Sequence, residues 1–214
     1  MIPFYKQHRE IAAFIEAADQ VLNSNTVFIR QDFSGQGDAV AYMKEAFASG
    51  AFCDWVWGAG EYTKAGREIP DVGLRLQPLR FPEFKEILED MLAVEGRYFH
   101  DSPYNVKLGE SQIRFLVDDF IESTVNEGQE SSHLKRLAEI NAAWRFYSLP
   151  RNYIHSKAWE KEFLEEKQEG AYRPMSDLNA DNFLARYFCY LGLDCFLVFH
   201  NDEHIYFLLT NGGD

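Results

Sequence analysis

Three carboxylates, Asp118, Asp119 and Glu122, fall within one stretch of five residues between Ser111 and Gly128. On a helix, carboxylates at i and i+4 share a face, where they can hold a divalent metal or act as an acid/base pair. They can equally form a plain solvated face, or a docking patch for lysine and arginine. No nucleophile or partner base with recognisable spacing accompanies them, so the hydrolytic alternative rests on a metal bound by these three groups alone. A second group combines acids with aromatics: Asp54, Trp55, Trp57, Glu61 and Tyr62 flank a glycine-rich segment. Aromatic side chains beside acids on a loop are common at protein interfaces, and the plain alternative is a pair of tryptophans buried by a strand.

Other spacings resemble chemistry without completing it. His200 and His204 have the i,i+4 spacing of a zinc pair on a helix, yet they bracket the turn Asn201-Asp202-Glu203 and read as exposed turn histidines. Ser34-Gly35-Gln36-Gly37-Asp38 lies between a strand and a helix, where phosphate loops occur. It lacks the Lys-Ser/Thr of a P-loop, has Val40 where a dinucleotide fingerprint needs a small residue, and puts Asp38 where the phosphate would dock, so it reads as a turn with an N-cap. Cys53, Cys189 and Cys195 are widely spaced in apolar surroundings and read as buried free thiols in a reducing compartment.

The elements that position these residues follow from periodicity. Ile11, Phe14, Ile15, Ala18, Val21 and Leu22 predict an amphipathic helix over residues 6 to 22, ended by Asn23-Ser24-Asn25. A strand follows at Thr26 to Arg30, then a loop, then a helix capped by Asp38 with Val40, Met43 and Phe47 inward and Gly50 at its end. Phe52 to Trp57 reads as a strand, and Gly58 to Gly73 as a long loop with room for a hairpin. Pro82 starts a helix with the stripe Phe84, Ile87, Leu88, Met91 and Leu92, closed by Gly96. After a loop at His100 to Tyr104, Ser111 opens a helix carrying Ile113, Leu116, Val117, Phe120 and Ile121. A further helix from Ser131 or Ser132 runs through Leu134, Leu137, Ala138 and Trp144 to a stop at Pro150. Residues 155 to 168 form a charged helix at the edge of the fold, with Trp159 and Phe163 its apolar pair. Asn182 to Leu191 is the last helix, and Cys195–Phe199 with Ile205–Leu209 form a terminal hairpin whose near-continuous apolar runs imply cover on both faces. The expected architecture is α+β: one mostly helical domain over residues 1–214, with a small β-sheet that includes the C-terminal β-hairpin.

Charge and composition bound the function. The chain of 214 residues has 34 acidic against 21 basic side chains, a net charge of -13, and 33 aromatic residues. The excess is spread along the chain, at -5 for residues 1 to 107 and -8 for 108 to 214. Such a field repels nucleic acid and anionic membrane and favours a basic partner, although acidity for its own sake also aids solubility. No signal-peptide pattern and no apolar stretch of membrane-spanning length is present, so a cytoplasmic protein is expected.

In its acidic, aromatic-rich single domain without a catalytic signature, and its apolar hairpin closing on Thr210-Asn211-Gly212-Gly213-Asp214, the chain resembles immunity proteins that neutralise bacterial polymorphic or type VI toxins. The resemblance implies a cytosolic inhibitor that forms a stoichiometric complex with a basic toxin and needs no cofactor or metal. Asp54, Trp55, Trp57, Glu61, Tyr62, Asp118, Asp119 and Glu122 are the candidate contact residues. The alternatives are a metal-dependent hydrolase using Asp118, Asp119 and Glu122, and a phage-encoded or regulatory adaptor.

Overall fold

The computed structural model describes residues 4–34, 36–58, 64–69, 74–93, 107–125, 140, 142–150, 183–188 and 194–211. A five-stranded sheet runs through the centre, every neighbouring pair antiparallel, in the order β1-β5-β4-β3-β2. The strands are β1 (Val27–Asp32), β2 (Gln77–Leu79), β3 (Arg145–Ser148), β4 (Cys195–His200) and β5 (His204–Thr210). The terminal hairpin is the middle of the sheet, flanked by β1 and β3. Nearly every residue of β4 and β5 is therefore buried, which explains their lack of polar alternation. Pro78, which has no N–H to give a ladder, sits in the edge strand β2.

Strand alternation sends side chains to two separate cores. Phe28, Phe146, Leu197, Phe199, Tyr206 and Leu208 point to one face, against helices α1 (Arg9–Leu22), α5 (Phe81–Ala93) and α6 (Glu110–Val125). Ile29, Phe196, Val198, Ile205, Phe207 and Leu209 point to the other, against α2 (Ala39–Ala48), α3 (Ala51–Trp57) and α7 (Phe183–Tyr187). The short helix α4 (Lys64–Arg67) packs beside α3. The described residues thus form three layers, helices on each side of an antiparallel sheet.

Aromatic packing ties the layers together. Phe120 of α6 stacks on Phe14 of α1 at 4.4 Å and meets Phe28 of β1 edge-on at 5.3 Å. Phe84 of α5 packs on Phe146 and Phe199 at 4.6 and 5.0 Å. Between α1 and β1 the chain reverses at Asn23, held left-handed at φ 47°, while Asp19 Oδ1 accepts from the Thr26 N–H at 2.6 Å.

Several expected elements stand: α1, β1, α2 with its Asp38 cap, α5, α6 and the hairpin; of the last helix, expected over Asn182 to Leu191, α7 covers Phe183–Tyr187, while 182 and 189–191 lie outside the described residues. Two change type. Phe52 to Trp57 is helical, because Gly50 at φ 76° turns the chain into a new helix in which Phe52 and Trp55, one turn apart, both reach Phe207. Its run of large apolar residues fits either period over so few positions, so strand and helix look alike in sequence. Residues 145–148, expected to continue a helix toward Pro150, are β3; the helical turn that ends with Trp144 N–H donating to Ile140 O (2.8 Å) stops just before it. The expected loop over Gly58 to Gly73 includes α4, and β2 has no counterpart among the expected strands. The helix from Ser131 before residue 140, the charged helix at 155–168, the loop at 100–104 and Cys189 lie outside the described residues.

Candidate functional site

Charge divides unevenly between the two helical layers. Helices α1, α5 and α6 hold eleven acidic and three basic residues, a net charge of -8. Helices α2, α3, α4 and α7 hold two acidic and four basic ones, a net charge of +2. Each of α1, α5 and α6 touches the other two, so their outer surfaces form one continuous acidic face.

On α6 the apolar stripe Ile113, Val117, Phe120 and Ile121 faces the sheet. Helical geometry then fixes the opposite ridge: Phe115 and Glu122, two turns apart, lie along its crest, with Asp118 on one flank and Asp119 on the other. Phe115 is 65% exposed, the most exposed large apolar side chain among the described residues. Lys85 of α5 reaches Asp118 Oδ1 at 2.6 Å and lies 3.7 Å from Glu89, which fixes the α5 flank. Asp119 turns to α1, where partial burial first, then the charges of Glu10 and Asp118, hold its carboxyl above the ordinary value. Asp118, Asp119 and Glu122 therefore do share one helix surface, as their spacing implied. Among the described residues no group of three or more His, Cys, Asp or Glu side chains is arranged to hold a metal ion.

Asp54, Trp55 and Trp57 belong to α3, on the other side of the sheet, so one flat contact surface does not take in both groups. The Asp54 carboxylate is ion-paired to Arg67 and clamps α4 onto α3. Trp55 packs inward, stacked between Tyr42 and Phe207 at 6.1 and 6.0 Å. Trp57 is 38% exposed and touches Tyr187 edge-on. Glu61 and Tyr62 lie outside the described residues.

The remaining spacings resolve into structure. His200 is not an exposed turn residue: it is 9% exposed, its ring between Phe33 at 4.6 Å and Tyr147 at 5.9 Å. Because His200 pairs with Ile205, His204 points to the opposite face of the sheet, and the two imidazoles cannot converge on one metal. The Asp38 carboxylate accepts from the N–H groups of Val40 at 2.8 Å and Ala41 at 3.3 Å, so it occupies the helix N-terminus a phosphate would need. Burial pushes the Cys53 thiol up to about 11, leaving it protonated at neutral pH.

Phe115 is the residue the sequence reading passed over. A helical wheel already places it opposite Ile113, Val117 and Phe120, and a large aromatic on the polar side of an amphipathic helix is the available signal. No family model, curated protein or solved structure matches this chain. No helix among the described residues is long and apolar enough to cross a membrane.

Proposed function

We propose that this protein is an immunity-type inhibitor that neutralises a basic, cytosol-acting toxin by forming a stoichiometric complex through the face of α1, α5 and α6. The observation that supports this reading is the coincidence of an exposed aromatic, Phe115, with a helical layer of net charge -8. An aromatic anchor ringed by charge is the arrangement expected of a contact centre, in which the ring supplies affinity and the carboxylates supply steering. Glu10 and Glu16 of α1, Glu86 and Asp90 of α5 and Glu110 of α6 are exposed on the three helices and extend the negative field beyond the ridge.

The cytosol is the place of action this reading requires, since a toxin acting there must be met there. The hydrolase alternative draws less support, because Asp118 already has Lys85 as its cation and no metal-holding group forms among the described residues. The test is capture of partners by the tagged chain from the cells that make it, eluted in steps of rising salt. A single basic protein in equal stoichiometry, released as salt screens the contact, is the expected result; recovery of the chain alone contradicts it.

A further inference from the structure

Three residues far apart in sequence close a ring of hydrogen bonds at one end of the sheet. Asn211, the residue after β5, accepts through Oδ1 from the Asn25 N–H at 2.8 Å and donates through Nδ2 to the Tyr187 carbonyl at 2.8 Å. Tyr187, the last residue of α7, completes the ring, its hydroxyl donating to the Asn25 carbonyl and, at 2.8 Å, to the Leu209 carbonyl. Asn25 belongs to the turn between α1 and β1, so the ring ties that turn, α7 and the end of β5 together. The partners fix the orientation of the amide, since a backbone N–H only donates and a carbonyl only accepts. A carboxylate at 211 would keep the first bond but set an oxygen against the Tyr187 carbonyl where a donor now stands, which is costly.

Asn211 is followed by Gly212, in the only Asn-Gly pair of the chain. Glycine has no side chain to hinder attack by its peptide nitrogen. We infer that Asn211 is a deamidation site guarded by this ring, and that its conversion to aspartate or isoaspartate loosens α7 and the turn before β1 from the end of β5. In the reaction the Gly212 nitrogen gives its proton to solvent base and bonds to Asn211 Cγ, while the Cγ–Nδ2 bond breaks and Nδ2, taking up a proton, leaves as ammonia. Water then opens the resulting succinimide at either carbonyl. Water is consumed, ammonia is released, and nothing is oxidised or reduced. The leaving nitrogen is the one bound to the Tyr187 carbonyl, so the reaction needs the ring open and its rate follows the open population. The inference does not rest on the inhibitor reading.

The test incubates the whole chain at mildly alkaline pH, folded and in denaturant, and follows the change from amide to acid at position 211 by mass spectrometry of the C-terminal peptide. Deamidation in the folded chain should be at least about tenfold slower than in the denatured one, and Tyr187→Phe, which deletes the hydroxyl arm of the ring, should speed it about threefold or more in the folded chain alone. The deamidated fraction of the folded parent, separated by its added negative charge, should melt about 3 °C or more below the intact fraction, and Asn211→Asp should reproduce that loss. No change at 211 in denaturant overturns the site. Equal rates in the folded and denatured chains, or an unaltered folded rate in Tyr187→Phe, overturn the guarding ring. A deamidated fraction that melts with the parent overturns the loosening.

Discussion

Lys85 and Asp118 join α5 to α6 with an Nζ to Oδ1 distance of 2.6 Å, placing a cation inside the more acidic of the two described helical layers. Both side chains are about a third exposed, at 31% and 40%, so water screens much of the attraction. Lys85→Ala should lower stability by about 0.5 to 1 kcal/mol in dilute buffer, and by less at 1 M salt, because the loss includes uncovered repulsion among Asp118, Asp119 and Glu89. Denaturant midpoints at the two salt concentrations check this; an equal loss at both would make packing, not charge, the role of Lys85.

Asp119 is held in the opposite sense. Its folded carboxyl protonates above the unfolded value of 3.8, because burial and the neighbouring charges of Glu10 and Asp118 disfavour the ionised form. The stability tied to this group is therefore complete in acid and is lost as pH rises through the window just above 3.8. Asp119→Asn should raise the melting temperature at pH 7 by about 1 °C and have no such benefit near pH 3. A fall at neutral pH would show that Asp119 holds the helices together through its charge.

His200 gives the acid side of the stability profile. Its imidazole lies below the ordinary 6.5 chiefly through burial, with Arg145 adding to the effect while the hydrogen bond to the Asn201 carbonyl and the charge of Asp202 oppose it. From pH 6.5 down to its folded value the unfolded chain holds more protons, so stability should decline across that interval and then level off for this group. His200→Phe, which keeps a ring between Phe33 and Tyr147, should flatten the profile. An unchanged slope in that variant would assign the acid sensitivity elsewhere.

Much of this frame was legible in the sequence, and the exceptions have physical causes. The stripe of Ile11, Phe14, Ile15 and Ala18 admits only a helix, and the unbroken apolar runs at 195–199 and 205–209 require a strand pair covered on both faces, as the central hairpin is. Phe52 to Trp57 is too short for its period to decide, and what selects the helix is the left-handed Gly50 together with the reach of Phe52 and Trp55 to Phe207. The acid excess looked evenly spread because α1 lies far from α5 and α6 in sequence; only the fold lays the three side by side. Asp118, Asp119 and Glu122 of α6 are found by spacing, whereas their separation from Asp54, Trp55 and Trp57 depends on which face of the sheet each helix covers.

Phe115 separates binding from folding. At 65% exposure its ring contributes little to the core, so Phe115→Ala should leave the melting temperature within about 2 °C of the parent while weakening the complex by about tenfold or more. Phe120→Ala, which empties a fully buried site, should instead cost about 3 to 5 kcal/mol of stability. Calorimetry of both variants with the captured partner distinguishes the two roles, and full affinity in Phe115→Ala would remove it from the contact.

On the proposed function the face of α1, α5 and α6, not the overall charge, meets the partner. Two triple variants with the same change in net charge test it: Glu10→Lys, Glu86→Lys and Glu122→Lys on that face, against Glu45→Lys, Asp202→Lys and Glu203→Lys at exposed positions outside it. The measurement is capture of the partner by each. Loss of the partner by the first variant, with retention by the second, is expected; equal behaviour of the two would show that this face is not the contact.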